Sequence, residues 1–156
     1  MSVRYPSQER LNELFEYRDG KLYNKTTRCN RAMKGEESGY KRTDGYREVR
    51  IAGKNHLTHR LIYIMHNGDI EKGLFIDHIN GIRTDNRIDN LRVVNPQENA
   101  FNSNAKGYCW NKDGQYYQAE IMVGGKRKRL GNFSLKEDAR QAYLVAKEKY
   151  HIIEKR

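Results

Sequence analysis

The hydrophobic and polar positions fall into short patterned blocks separated by turn residues. Leu11, Leu14 and Phe15 recur at i, i+3 and i+4, so Ser7 to Tyr17 reads as a short helix. Asp19-Gly20 is a turn, and Lys21 to Lys25 reads as a short strand. Residues 26–45 lack a period and are the least patterned stretch. Tyr46 to Ile51 alternates, Ala52-Gly53-Lys54-Asn55 turns, and His56 to His59 begins a returning strand, which together predict a hairpin. His59 to His66 is apolar at Leu61, Ile62, Ile64 and Met65 and reads as a helix stopped by Asn67-Gly68. Leu74 to Ile79 and Leu91 to Val94 read as strands joined by an Asx-rich loop. Asn95-Pro96-Gln97-Glu98 then has the form of a helix start, with Asn at the cap and Pro at the first helical position.

After the polar linker 103–107 the pattern changes. Tyr108 to Trp110, Tyr116 to Val123 and Lys128 to Phe133 read as three strands, with turns at Asn111–Gly114 and Gly124-Gly125. Ser134-Leu135-Lys136-Glu137 has the form of a capping box, and the helix beyond it aligns Leu135, Ala139, Ala142, Tyr143, Ala146 and Tyr150 on one face. There is no internal repeat and no low-complexity run.

Composition adds a partner class. The 156 residues suffice for one domain or two small ones. Hydrophobic residues make up only 37%, but 11 Tyr, 4 Phe and 1 Trp argue against disorder. No apolar run reaches the roughly 18 residues of a membrane span, and the N-terminus lacks a signal peptide's apolar core. A cytoplasmic protein without membrane association is expected. Cys29 and Cys109 stand alone, so neither structural zinc nor a disulfide is expected. The net charge of +10 is unevenly spread. Residues 1–58 hold 13 basic and 8 acidic groups, 59–102 hold 5 and 6, and 103–156 hold 12 and 6. Two basic flanks around a near-neutral centre imply a polyanion partner. Arg47, Arg50 and Lys54 on the first hairpin are candidate phosphate contacts.

The centre holds the candidate chemistry. Asp77 and Asn99 offer the oxygen donors that a hard cation such as Mg²⁺ (or Mn²⁺) takes, with water and substrate phosphate completing its shell. His78 is the candidate general base, because imidazole titrates near neutral pH and takes a proton from an attacking water. Asn90 is expected to bond backbone across the loop and hold His78 in place. An Asx-rich turn with an incidental His would give the same letters. Adjacent strand residues also face opposite ways, so Asp77 and His78 converge only if the strand ends or twists there.

Leu57-Thr58-His59-Arg60-Leu61, Asp77-His78-Ile79-Asn80-Gly81, Asn86 to Arg92 and Glu98-Asn99 resemble the HNH nucleases of phages and mobile introns. The resemblance covers residues 1–102, with a core at 59–102. It implies an α+β chain with a ββα-metal nuclease core preceded by a β-hairpin region. It further implies Asp77 and Asn99 as metal ligands, His78 as the activator of water, and Asn90 as the middle family residue. His59 and Arg60 would be phosphate contacts, and the products a 5′ phosphate and a 3′ hydroxyl. The spacings His78 to Asn90 and Asn90 to Asn99 suit the subgroup with Asn in place of the last His. The paired Cys of many relatives are missing here.

Lys106-Gly107-Tyr108, Ala119-Glu120-Ile121, Leu130-Gly131-Asn132-Phe133 and Glu137-Asp138-Ala139 with Tyr143 resemble the Apetala-type (ethylene-response-factor) DNA-binding domain. Residues 103–156 would then be a small three-stranded antiparallel sheet packed on one C-terminal helix. Trp110, Lys112, Gln118, Lys126, Arg127, Lys128 and Arg129 are its candidate contacts, with Lys126 to Arg129 a phosphate clamp. The chain is read as a site-specific, homing-type endonuclease acting on double-stranded DNA in the host cell of a phage or mobile element. A single copy would nick, and a homodimer would cut both strands. The competing readings are a DNA-binding regulator with a nuclease-like core and an RNA-binding protein that stacks bases on Tyr and Trp.

Overall fold

The computed structural model describes residues 5–102 and 105–153, and its chain divides into two units that meet after Pro96. The first unit begins with helix α1 (Gln8–Leu14), started by Ser7, whose Oγ accepts a hydrogen bond from the Arg10 backbone at 3.3 Å. This helix is shorter than predicted. Phe15 takes extended backbone, and strands β1 (Phe15–Arg18) and β2 (Lys21–Asn24) pair antiparallel around Asp19-Gly20. The left-handed φ values of Asp19 (44°) and Gly20 (80°) suit a two-residue hairpin, so the alternation of Phe15-Glu16-Tyr17 prevails over the helical spacing.

Strands β3 (Tyr40–Lys41), β4 (Arg47–Ile51) and β5 (Lys54–Leu57) form the next antiparallel sheet. Its hairpin turns at Ala52-Gly53, leaving Lys54 and Asn55 within β5. The weakly patterned stretch before it is tied down by Arg28, which bonds Asn24 Oδ1 at 2.8 Å and the Arg50 carbonyl at 3.1 Å. Helix α2 (Thr58–Asn67) ends at Gly68 and buries Leu61, Ile62, Ile64 and Met65 against Leu11, Phe15, Leu22 and Val49. Truncating one of these to Ala would cost about 2–5 kcal/mol. Strands β6 (Phe75–His78) and β7 (Leu91–Val94) form an antiparallel ribbon whose Ile76 and Leu91 join the same core. A 3₁₀ turn at Ile88–Asn90 leads into β7.

Helix α3 (Pro96–Phe101) opens the second unit, with Pro96 at its first position as the sequence indicates. Strands β8 (Tyr108–Asn111), β9 (Tyr116–Val123) and β10 (Lys126–Phe133) form an antiparallel sheet in the order β10-β9-β8. Helix α4 (Lys136–Tyr150) buries Ala139, Tyr143 and Ala146 against it. The expected capping box does not form. Leu135 is the cap residue, no side chain caps the helix, and Leu135 itself is exposed. Gly107, at φ 76°, lies so close to Tyr143 that a Cβ there would fall 1.9 Å from the ring. Among the described residues no helix is long and apolar enough to cross a membrane.

Candidate active site

The loop between β6 and β7 is built by its own amides. Asn90 is buried, and its carboxamide closes the loop from within. Its Oδ1 accepts from the Asn80 backbone at 3.0 Å, and its Nδ2 donates to Asn80 Oδ1 at 3.0 Å and to the Asp85 carbonyl at 2.7 Å. Asn80 Oδ1 also accepts from the Ile82 backbone at 2.9 Å, an Asx turn around Gly81. Asp85 accepts from Arg87 Nε and Nη2 at 2.9 and 2.8 Å, and this pairing holds its carboxyl well below the usual carboxylate range. Short polar side chains therefore hold an otherwise irregular segment.

His78 ends β6. Its inward partner position beside Ile76 leaves it 3% exposed. Nε2 lies 2.8 Å from Asn86 Oδ1 in a buried bond. The ring meets that of His59 at 5.0 Å in an edge-on arrangement and lies 6.0 Å from the Tyr46 ring, which is 5.2 Å from His59. His59 is buried, and its Nδ1 has no hydrogen-bond partner. Burial, with His78 and Arg60 nearby, pushes the His59 imidazole down to about 3, so it is neutral at pH 7.

Asp77 faces the other side of the ribbon, opposite Arg92 in the register. Arg92 Nε and Nη2 both donate to Asp77 Oδ2, at 3.0 and 2.9 Å. The alternation of strand directions thus holds at Asp77 and His78, and the strand ends immediately afterwards. Arg60 follows His59 on α2 but turns elsewhere. Its guanidinium lies 5.1 Å from the Tyr5 ring centre and donates to the Leu74 carbonyl at 3.4 Å. Asn99 is an exposed residue of α3, in the second unit. Asp77, His78 and Asn90 therefore share one ribbon and its loop, and Asn99 is carried by the unit that follows.

The basic candidates separate by face. Arg47 is engaged with Glu37 at 2.9 Å and the Gly39 carbonyl at 3.1 Å. Arg50 and Lys54 are exposed, and the register puts Arg50 on the side opposite Lys54. In the second unit, buried Ala119 and Ile121 mark the sheet's inner side. Tyr108 and Trp110 pair with Ala119 and Tyr117, and Lys126 and Lys128 with Val123 and Ile121, so all four lie on that side. Lys128 Nζ donates to Tyr150 Oη at 2.7 Å. Gln118, Arg127 and Arg129 lie on the outer side, and Lys112 in the turn before β9. The clamp read from the run Lys126 to Arg129 is thus divided between two faces.

Tyr46, Asn86 and Arg92 went unassigned from sequence. Asn86 and Arg92 are the two ends of the HNH-like motif, without a role assigned to either, whereas Tyr46 reaches the site only through packing. Among the described residues no group of three or more His, Cys, Asp or Glu is placed to hold a metal. The donor chemistry fits a hard cation all the same. Asp77 supplies a partly buried carboxylate oxygen, and such ions keep several waters and take substrate phosphate as a ligand.

A family model described as HNH endonuclease matches residues 56–101. Protein 3.8 of Escherichia phage T7 is 29% identical over 111 residues, covering 66% of this chain and 89% of that protein. An uncharacterized HNH endonuclease, L560, of Acanthamoeba polyphaga mimivirus is 34% identical over 110 residues, covering 67% of this chain. A SPbeta prophage-derived protein of Bacillus subtilis, YosQ, named for an HNH homing endonuclease, is 34% identical over 71 residues, covering 46% of this chain. The chain spans 58% of the mimivirus protein's length and 41% of the prophage protein's. Among solved structures, one described as DNA binding and cleavage by the HNH homing endonuclease I-HmuI aligns at 24% identity with a TM-score of 0.43. The alignment covers 71% of this chain and 67% of that one. Helix α2, the β6–β7 ribbon and its amide-built loop all lie inside the stretch that matches the HNH endonuclease family model.

Proposed function

We propose that this protein is a DNA endonuclease of the homing type, hydrolysing a phosphodiester bond with His78 as general base. One observation carries the reading: His78, bonded through Nε2 to a buried amide, ends the strand that bears Asp77, within the HNH-matched segment. In this mechanism the imidazole takes a proton from water as the water oxygen attacks phosphorus. The bond from phosphorus to the 3′ oxygen breaks, and the leaving oxygen gains a proton from solvent. The products are a 5′ phosphate and a 3′ hydroxyl. Asp77 and Asn99 would hold Mg²⁺ or Mn²⁺, which when bound supplies the positive charge that offsets the pentacovalent phosphate. Asn90 fixes the loop, and Arg92 fixes the Asp77 carboxylate. His59, its ring against that of His78, remains the candidate phosphate contact of the pair, while Arg60 would reach a phosphate only by leaving Tyr5 and the Leu74 carbonyl. The Apetala-like second unit would supply affinity and register on double-stranded DNA, through Arg127, Arg129 and Gln118 on its outer face.

Plasmid DNA incubated with the full chain and Mg²⁺ tests this. Wild type should convert supercoiled plasmid to nicked or linear form, and EDTA, His78→Ala and Asp77→Ala should each stop it. Equal cutting by His78→Ala would refute the base assignment. The Arg92–Asp77 pair also suits a second reading, a DNA-binding regulator in which Asp77 has become a structural partner. Tight binding with every plasmid left intact would select that reading.

A further inference from the structure

Asn86 is the deepest polar side chain of the loop, with 2% of its surface exposed. The backbone around it is fixed from several sides. Asn90 Nδ2 holds the Asp85 carbonyl, and the Asn90 backbone donates to the Arg87 carbonyl at 2.9 Å. The Ile88 backbone donates to Tyr17 Oη at 3.1 Å. Gly20 lies against the Asn86–Arg87 peptide, where a Cβ would come within 2.9 Å of the Arg87 nitrogen. The carboxamide is therefore delivered to His78 by a braced backbone.

A carboxamide oxygen accepts and never donates. With Oδ1 at 2.8 Å, the hydrogen of a neutral His78 ring resides on Nε2, and the lone pair on Nδ1. The geometry points to Asn86 as a positioning residue that locks His78 in the Nε2–H tautomer and makes Nδ1 the nitrogen that accepts a proton. The part of this that concerns proton acceptance rests on His78 being the base of the proposed hydrolysis. The tautomer itself does not.

The decisive measurement is a long-range ¹H–¹⁵N spectrum of the full chain, labelled with ¹⁵N-histidine, at pH 8 without metal or DNA. The His78 signals are identified by their loss in His78→Gln. Wild type should show a protonated, pyrrole-type Nε2 and a pyridine-type Nδ1. Asn86→Asp, which keeps an acceptor oxygen, should preserve that pattern. Asn86→Leu should lose it, and its cleavage kcat should fall on the order of 100-fold with KM unchanged. A pyridine-type Nε2 in wild type means the amide nitrogen faces the ring and overturns the inference. So does an unchanged pattern in folded Asn86→Leu. If Asn86→Leu does not fold, the wild-type spectrum still decides. A correct tautomer in a protein that never cuts would leave the lock standing and remove only the nuclease reading.

Discussion

His59 shows how one buried side chain makes the site sensitive to acid. Its imidazole is pushed down to about 3, whereas in the unfolded chain it titrates near 6.5. The unfolded state therefore binds more protons between those values. The stabilisation is fully present above pH 6.5 and is lost as pH falls, at up to about 1.4 kcal/mol per pH unit. Urea midpoints should drop between pH 7 and pH 5, and a folded His59→Phe variant should show a shallower slope. Asn90 gives the complementary case. Asn90→Ala leaves the Asp85 carbonyl and the Asn80 amide without their partner and should cost about 1–3 kcal/mol in urea unfolding. The residues of this site were partly legible beforehand. Asp77, His78 and Asn90 stand out by type and spacing, and the amide bridge of Asn90 across the loop follows from an Asx-rich segment. The Arg92 partner of Asp77 and the Asn86 partner of His78 were not, because a cross-strand register and a folded loop select them.

At the scale of elements, patterning located most strands and failed where two local signals competed. Phe15 satisfied both a helical spacing and a strand alternation, and the tight Asp19-Gly20 turn decided for the strand. Ser134 had the letters of a capping box, but the helix starts one residue later behind Leu135. The basic run Lys126 to Arg129 looked like one surface until pleating divided it. Packing of β8 against α4 depends on Gly107. A methyl group there would meet the Tyr143 ring in a left-handed backbone conformation that alanine resists. Gly107→Ala should destabilise the second unit by about 2 kcal/mol or more, read as a lowered thermal midpoint.

At the scale of the whole molecule, charge sets the expected partner and its salt dependence. The basic excess lies in the two flanks, and the outer face of the second sheet concentrates Arg127 and Arg129. Replacing both by Ala in the full chain should lower the log–log salt slope of DNA binding by about 1.8. Lys128→Ala should change it less, since that ammonium lies on the sheet's inner side beside Tyr150 of α4. An unchanged slope in the double variant would remove this face from the DNA interface. The β1–β2 hairpin carries a different consequence. Tyr17 and Gly20, far upstream, form the floor on which residues 86–88 rest. The stretch that carries the family signature is therefore not the stretch that can be excised. A fragment starting at residue 56 would keep every signature letter and lose the surface that shapes its loop, so recognisability and autonomy have different boundaries in this chain.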